Sequence, residues 1–317
     1  MRIIILLFIL SIVSFTLVSL SPIDPIQAYI NGDLSVSVEQ RAIIAERWGL
    51  NDPPVERYFY WLKNFVSGDM GTSLIFHRPV ISIIKERFIL SYQLMFLAWV
   101  LSGINGFLFG IWAAIKKDKL TDKLIKAYCL LLSSSPTFWI AMLMIIVFSV
   151  QFRIFPIGMA VPAGKLASEV TVLDRIYHLI LPALTLSLTG ISKLALHTRD
   201  KMIESLESEY ALFAFARGRS KIEFVLHNGL RNVISPAITL HFMSIGELFG
   251  GSVLAETVFS YPGLGNATVE AGLQGDMPLL MGITLFGALF VFSGNLTANI
   301  LYPIIDPRIK EGGYCAC

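Results

Sequence analysis

The sequence predicts an all-α polytopic membrane protein, and three observations carry that prediction. Hydrophobic residues make up 55% of the 317 positions and charged ones only 15%, with a mean hydropathy of +0.67; soluble domains carry about 25% charged residues. Apolar runs of membrane-crossing length recur along the chain, enough for six transmembrane helices. Two short loops collect lysine and arginine while the loop before the last span has neither, as in chains that weave through a bilayer. The net charge of +2 says little beside that distribution.

The first element is the uncharged run Ile3 to Leu20, preceded only by Arg2 and read as the first transmembrane helix, residues 1–20. No small-residue cleavage site follows it, which argues against a removed leader. Ser21-Pro22-Ile23-Asp24-Pro25 breaks the helix. Residues 21–87 are too polar to span and too long for a turn, so they are expected to form a small extracytoplasmic insert. Leu90 to Ile115 spans next and stops at Lys116-Lys117-Asp118-Lys119, with Lys123 and Lys126 close behind. This basic loop places the first terminus inside and the insert outside.

Ala127 to Val150 returns outward, interrupted by Ser133-Ser134-Ser135-Pro136. The proline frees a carbonyl that the neighbouring hydroxyls are placed to satisfy, either in a pore-lining helix or in a packed kink. Gln151 to Arg175 is an outer loop, and Ile176 to Leu196 is the fourth span. A basic inner loop, 199–235, leads to the fifth span, Val233 to Phe259. The outer loop Ser260 to Met277 contains no lysine or arginine. Leu279 to Pro303 is the sixth span, completing a five-helix core over 88–303, and 304–317 is an inner tail. Cys129, Cys315 and Cys317 offer no disulfide framework.

The inner loop is the most informative stretch. Gly218 is placed as the left-handed residue that ends a helix begun near Glu209. Ser220 with Glu223 forms a capping box, so a second helix is expected from Lys221, with Ile222, Val225, Leu226 and Leu230 on one face. Ala211, Ala214 and Gly218 share a flat face of the first helix, suited to insertion into another protein's cleft.

The order Glu209, Tyr210, Ala214, Ala216, Arg217, Gly218, then Leu230, Arg231, Asn232 and Pro236 resembles the cytoplasmic coupling loop of ABC-importer permeases, in the dipeptide, oligopeptide and nickel branch. Further blocks fall in the same order: Gly49-Leu50-Asn51-Asp52-Pro53, Gly68-Asp69-Met70-Gly71-Thr72-Ser73, Leu181-Pro182-Ala183-Leu184, Tyr261-Pro262-Gly263-Leu264-Gly265 and Asp306-Pro307-Arg308-Ile309. The resemblance implies a multi-pass subunit of a bacterial or archaeal plasma membrane, with both termini cytoplasmic. It implies four kinds of partner: a second homologous permease, two ATP-binding subunits, an extracytoplasmic substrate-binding protein, and the lipid bilayer; no nucleic acid is expected. The chain carries no phosphate-binding glycine loop and no hydrolase signature. ATP and magnesium therefore belong on the partners, and the chain is expected to bind no cofactor and to catalyse nothing alone.

For the substrate path, Glu247 is read as the single acid of the fifth span, where an ionisable group normally faces a cavity or a partner. Met243 shares its face, His241 and Ser244 lie on an adjoining stripe, and Gly250 and Gly251 follow. Carboxylate, imidazole and thioether together make Glu247, His241 and Met243 the candidate metal ligands. Close packing of the helices is the competing role for these residues. Ile245 to Gly251, Gly110 to Ala114 and Arg78-Pro79-Val80 look closest to nickel permeases, so nickel, free or chelated, is the expected cargo and a di- or oligopeptide the alternative. A secondary transporter or channel would show inverted repeats and paired intramembrane charges.

Overall fold

A computed structural model describes residues 2–20, 26, 37, 39, 43, 45, 46, 51–166 and 168–305. The Ser21 to Pro25 break, Gly49-Leu50, the Asp306 to Ile309 block and the Cys315/Cys317 tail lie outside the described residues. Among the described residues the structure is helical, with one isolated antiparallel bridge from Thr72 to Pro79.

Three helices among the described residues are long and apolar enough to cross a membrane: α3 (Val80–Ile115), α6 (Val172–Leu206) and α12 (Met277–Ile305). Two bent pairs raise the number to five. The first pair is α4 (Leu120–Ser134) with α5 (Thr137–Met144), which continues through a widened helical stretch to Gln151; the second is α9 (Leu230–Met243) with α10 (Ile245–Val258). The remaining expected span, α1 (Arg2–Ser19), is a shorter apolar helix.

Several boundaries differ from expectation. The helix of the second expected span, α3, starts at Val80, inside the expected outer insert, because Lys85, Glu86 and Arg87 extend a helix beyond its apolar part without breaking it. The span expected over Ala127 to Val150 is no simple kink: its halves bend by 109°. Proline excludes the preceding residue from the helical region, and Ser135 is extended at φ −96°, ψ 131°. The hydroxyls do not take the carbonyl that Pro136 leaves free, that of Leu132, which accepts from the Ser135 amide instead; Ser133 donates to the Leu130 carbonyl and Ser135 Oγ to that of Leu131. The expected fifth span is also broken, bending by 47° at Ser244.

The chain divides into two compact units, residues 1–92 with 262–290, and 93–261 with 291–317. In the first, α1 packs on α2 (Pro54–Val66) through Phe15 and Tyr58, whose rings meet edge to face at 5.3 Å. The Tyr58 hydroxyl reaches Ser11 at 2.8 Å, and Met281 joins the same core. The expected outer loop 260–277 folds into a helix, α11 (Leu264–Gln274), ended by left-handed Gly275. The following residue, Asp276, is fully buried and accepts from Ser73 Oγ at 2.5 Å and from the Leu74 and Ile75 amides. It also caps α12 through the Leu279 amide. One carboxylate thus fastens the Gly68 to Ser73 turn to the start of the last helix.

In the second unit α6 is the central strut. Its capping box at Thr171 and Asp174 starts it, and α4, α5, α9 and α10 pack along it. Gly110 lets α3 approach it so closely that a Cβ there would sit 2.6 Å from the Ala195 carbonyl.

Candidate functional site

The inner loop leaves α6 at Leu206 and forms α7 (Glu209–Ala216) and α8 (Lys221–Phe224) before α9. Gly218 sits at φ +85°, its amide donates to the Phe215 carbonyl and the Arg219 amide donates to that of Ala214. This is the paired closure that a left-handed residue gives a helix end. The expected capping box is present: the Glu223 amide donates to Ser220 Oγ, and the Ser220 amide to Glu223 Oε2 at 2.9 Å.

The expected faces are only partly right. Ala211 is fully buried against its own chain, so the Ala211/Ala214 side is not a free docking face. The outward side of α7 carries Leu212 and Phe213, 62% and 65% exposed, with Arg217 over the Phe213 ring at 5.4 Å. Of the apolar face expected on the second helix, Val225 is buried, but Ile222 and Leu226 are exposed. Phe224 and Gly229 are buried with Val225 instead. A widened turn over Val225–Gly229, in which the Leu230 amide reaches back five residues to Val225, takes up an extra residue and rotates the face.

Two residues of the resemblance, twenty-two apart, meet here. The Tyr210 hydroxyl accepts from Asn232 Nδ2 at 2.8 Å and lies 2.7 Å from Ser205 Oγ. Its ring packs on Phe224, which also meets Phe215. A polar cavity of about 360 Å³ lies beside it, lined in part by Ser208, Ser235 and Pro236. The loop is thus a latched unit that presents Leu212, Phe213, Arg217 and Ile222 outward. Removing two hydrogen bonds beside a wettable cavity costs about 1–2 kcal/mol, so Tyr210→Phe is expected to speed hydrogen exchange at Glu209 to Ala216 roughly fivefold to thirtyfold. Unchanged exchange would mean that the hydroxyl is no latch.

The expected path residues are brought together only in part: Met243 and Glu247 share an exposed side, whereas His241 is turned to Trp99. His241 stacks on Trp99 at 4.3 Å, and its Nε2 faces the Trp99 carbonyl at 3.0 Å, so that nitrogen carries the proton. Gly103 makes room for the ring, since a Cβ there would lie 2.6 Å from Nε2. Ser244 closes the hinge between α9 and α10 by donating to the His241 carbonyl. Met243 is exposed. Glu247 is held by Lys193 of α6, with Nζ at 2.7 and 2.6 Å from its two oxygens. The structure thus gives Glu247 and His241 partners of their own, Lys193 and Trp99, and among the described residues no group of three or more His, Cys, Asp or Glu is placed to hold a metal ion. Lys193 was legible as a base inside an apolar span, as was Glu256, a second acid in the fifth, fully buried on α10.

Comparison with known proteins gives a consistent result. A family model described as "Binding-protein-dependent transport system inner membrane component" matches residues 106–311. The chain is 36% identical over 302 residues to the oligopeptide transport system permease protein AppB of Bacillus subtilis, covering 95% of this chain and 94% of that one. It is 27% identical over 320 residues to the dipeptide transport system permease protein DppB of Escherichia coli K12, again covering 95% and 94%.

Proposed function

Because the chain belongs to the family of binding-protein-dependent transport system inner membrane components, we propose that it is the permease subunit of an ATP-driven importer of di- or oligopeptides. The observation that carries this reading is full-length similarity to permeases named for peptides. Nickel, the cargo expected from short sequence blocks, gives way to the peptide. The carboxylate that was to attract a metal cation is already neutralised by Lys193, and its supposed co-ligand His241 is committed to Trp99.

In this scheme an external binding protein delivers the peptide, and this chain with a second permease encloses the path. Two ATP-binding subunits grip the inner loops. Glu209, Tyr210, Ala214, Ala216, Arg217 and Gly218 form the coupling segment. Leu212 and Phe213 enter the ATPase cleft, Arg217 offers it a positive charge, and the Tyr210 and Asn232 latch passes the cleft's movement to α6 and α9. Closure of the ATPases on ATP then shifts the spans, and hydrolysis resets them. The chain spans the plasma membrane with the loops at Lys119 and Gly218 inside, an orientation supported by their basic residues.

Vesicles holding the complete set of subunits are expected to accumulate labelled tripeptide in an ATP-dependent manner and to leave nickel outside. A thiol introduced by Lys119→Cys is expected to be reached by an impermeant reagent only from the inner side. ATP-driven nickel accumulation without peptide uptake would overturn the cargo, and assembly without ATPase subunits would overturn the class.

A further inference from the structure

The ion pair between Lys193 and Glu247 has no part in the coupling scheme, and its setting points to a ligand. Glu247 lies at the middle of the expected fifth span and Lys193 in the inner third of the fourth. Their side chains are nevertheless 61% and 62% exposed, while Leu194 and Leu248 beside them are buried. Met243, Glu247, Gly250 and Leu254, spaced four, three and four apart, make one exposed stripe down the hinge and α10. The other sides of α10 are closed, by Val291 at Gly246, by Gly294 at Ile245 and by Leu186 at Gly251. Charged side chains at membrane depth face a cavity or a partner rather than lipid. The stripe is therefore a wall toward a cavity or a partner, apolar at Met243 and Leu254 and with its charge confined to the pair.

The chemistry of that wall is balanced. A lone carboxylate would select cations, whereas a carboxylate and an ammonium side by side match a ligand that carries one of each. Gly250, one turn from Glu247, adds a second observation: a Cβ there would meet nothing within 4 Å. Packing within this chain does not require that glycine, and its absence of a side chain leaves the wall beside the charges low enough for a peptide backbone.

We propose that Lys193 and Glu247 form a station for zwitterionic peptides on the translocation path, an inference that rests on the peptide-importer reading. The peptide's α-ammonium takes the place of Lys193 on Glu247, and its α-carboxylate takes up the released Lys193. Two ion pairs then stand where one stood, and no net charge is moved into the membrane. An extended tripeptide spans at most about 10 Å, a separation that the flexible four-carbon stem of lysine accommodates by swinging away. Without peptide the closed pair masks both charges, so neither a free cation nor a free anion finds a vacant partner.

The test compares trialanine with N-acetyl-trialanine and with trialanine amide, each loaded to equal occupancy on the external binding protein and offered to the complete transporter in vesicles. In Glu247→Gln the preference for the free amino terminus is expected to fall roughly tenfold or more, as a lost charge-assisted hydrogen bond allows, while uptake of the acetylated peptide persists. In Lys193→Gln the preference for the free carboxylate falls instead. Exchanging the two residues restores both preferences, because the wall again offers one charge of each sign. Equal slowing of all three peptides, or preferences that do not change, would overturn the station and leave the peptide-importer reading standing. Failure of the unaltered transporter to move any of the three would overturn both.

Discussion

Asp122→Ala is expected to leave less than a tenth of the normal amount of folded protein in the membrane. Asp122 is fully buried at the start of α4, and Arg199 of α6 grips it with both branches of its guanidinium: Nε to Oδ1 at 2.6 Å and Nη2 to Oδ2 at 2.7 Å. The Asp118 amide donates to the same carboxylate. Arg199 is itself only 11% exposed. Truncating the acid leaves a largely desolvated guanidinium facing a void, its charge compensated only by the exposed Asp200 at 2.9 Å. The cost is about 3 kcal/mol, the low end of the range for a broken buried pair. Typical folding stabilities are about 5–15 kcal/mol, so the loss is severe. Replacing both partners with apolar residues of similar volume, Asp122→Leu with Arg199→Met, removes the uncompensated charge and is expected to recover most of the protein. Size-exclusion profiles and thermal melting of the detergent-extracted chain read both effects. Normal yield and melting of Asp122→Ala would show that the pair contributes little.

The second large effect is expected at Gly218, where valine should abolish coupled transport while the protein still inserts and assembles. At φ +85° a β-branched side chain is a genuine outlier, with a strain of about 1–3 kcal/mol. Nothing within 4 Å would obstruct a Cβ there, so the penalty comes from the backbone and not from a clash. Relief requires giving up the paired closure from the Phe215 and Ala214 carbonyls, which re-aims Phe213 and Arg217. Gly218→Asn, which tolerates the left-handed region, is expected to keep most of the transport. The measurement is peptide-stimulated ATP hydrolysis against basal hydrolysis in the assembled complex. Equal stimulation in the valine and asparagine variants would mean that the turn geometry does not couple the two.

The elements read correctly from sequence are those whose causes are local. The Ser220 and Glu223 box spans four residues, and the Gly218 closure spans six; each is complete within its own stretch of chain, so residue identity suffices. The break at Pro136 follows in the same way from the conformation it denies Ser135, although its 109° angle does not. The site was less legible. The outward face of α7 was misassigned because helical periodicity shows which residues share a side and leaves open which side the rest of the chain covers. The widened turn at Val225 to Gly229 then shifted the phase by a residue, with no sequence signal to announce it.

By itself, then, the sequence determined the class of the molecule: apolar runs long enough to demand a bilayer, short loops that collect lysine and arginine, and one polar segment with its caps and its glycine. Those properties follow from hydropathy, charge and backbone sterics acting over a few residues. Only the tertiary structure decided which charges meet. Lys193 and Glu247 are 54 residues apart and Asp122 and Arg199 are 77 apart, and each pair forms because helices remote in sequence pack side by side along α6. An ion pair between helices is a property of their packing, and it changes what its members do: Glu247, a metal ligand when read alone, is half of a balanced pair once α6 lies beside it.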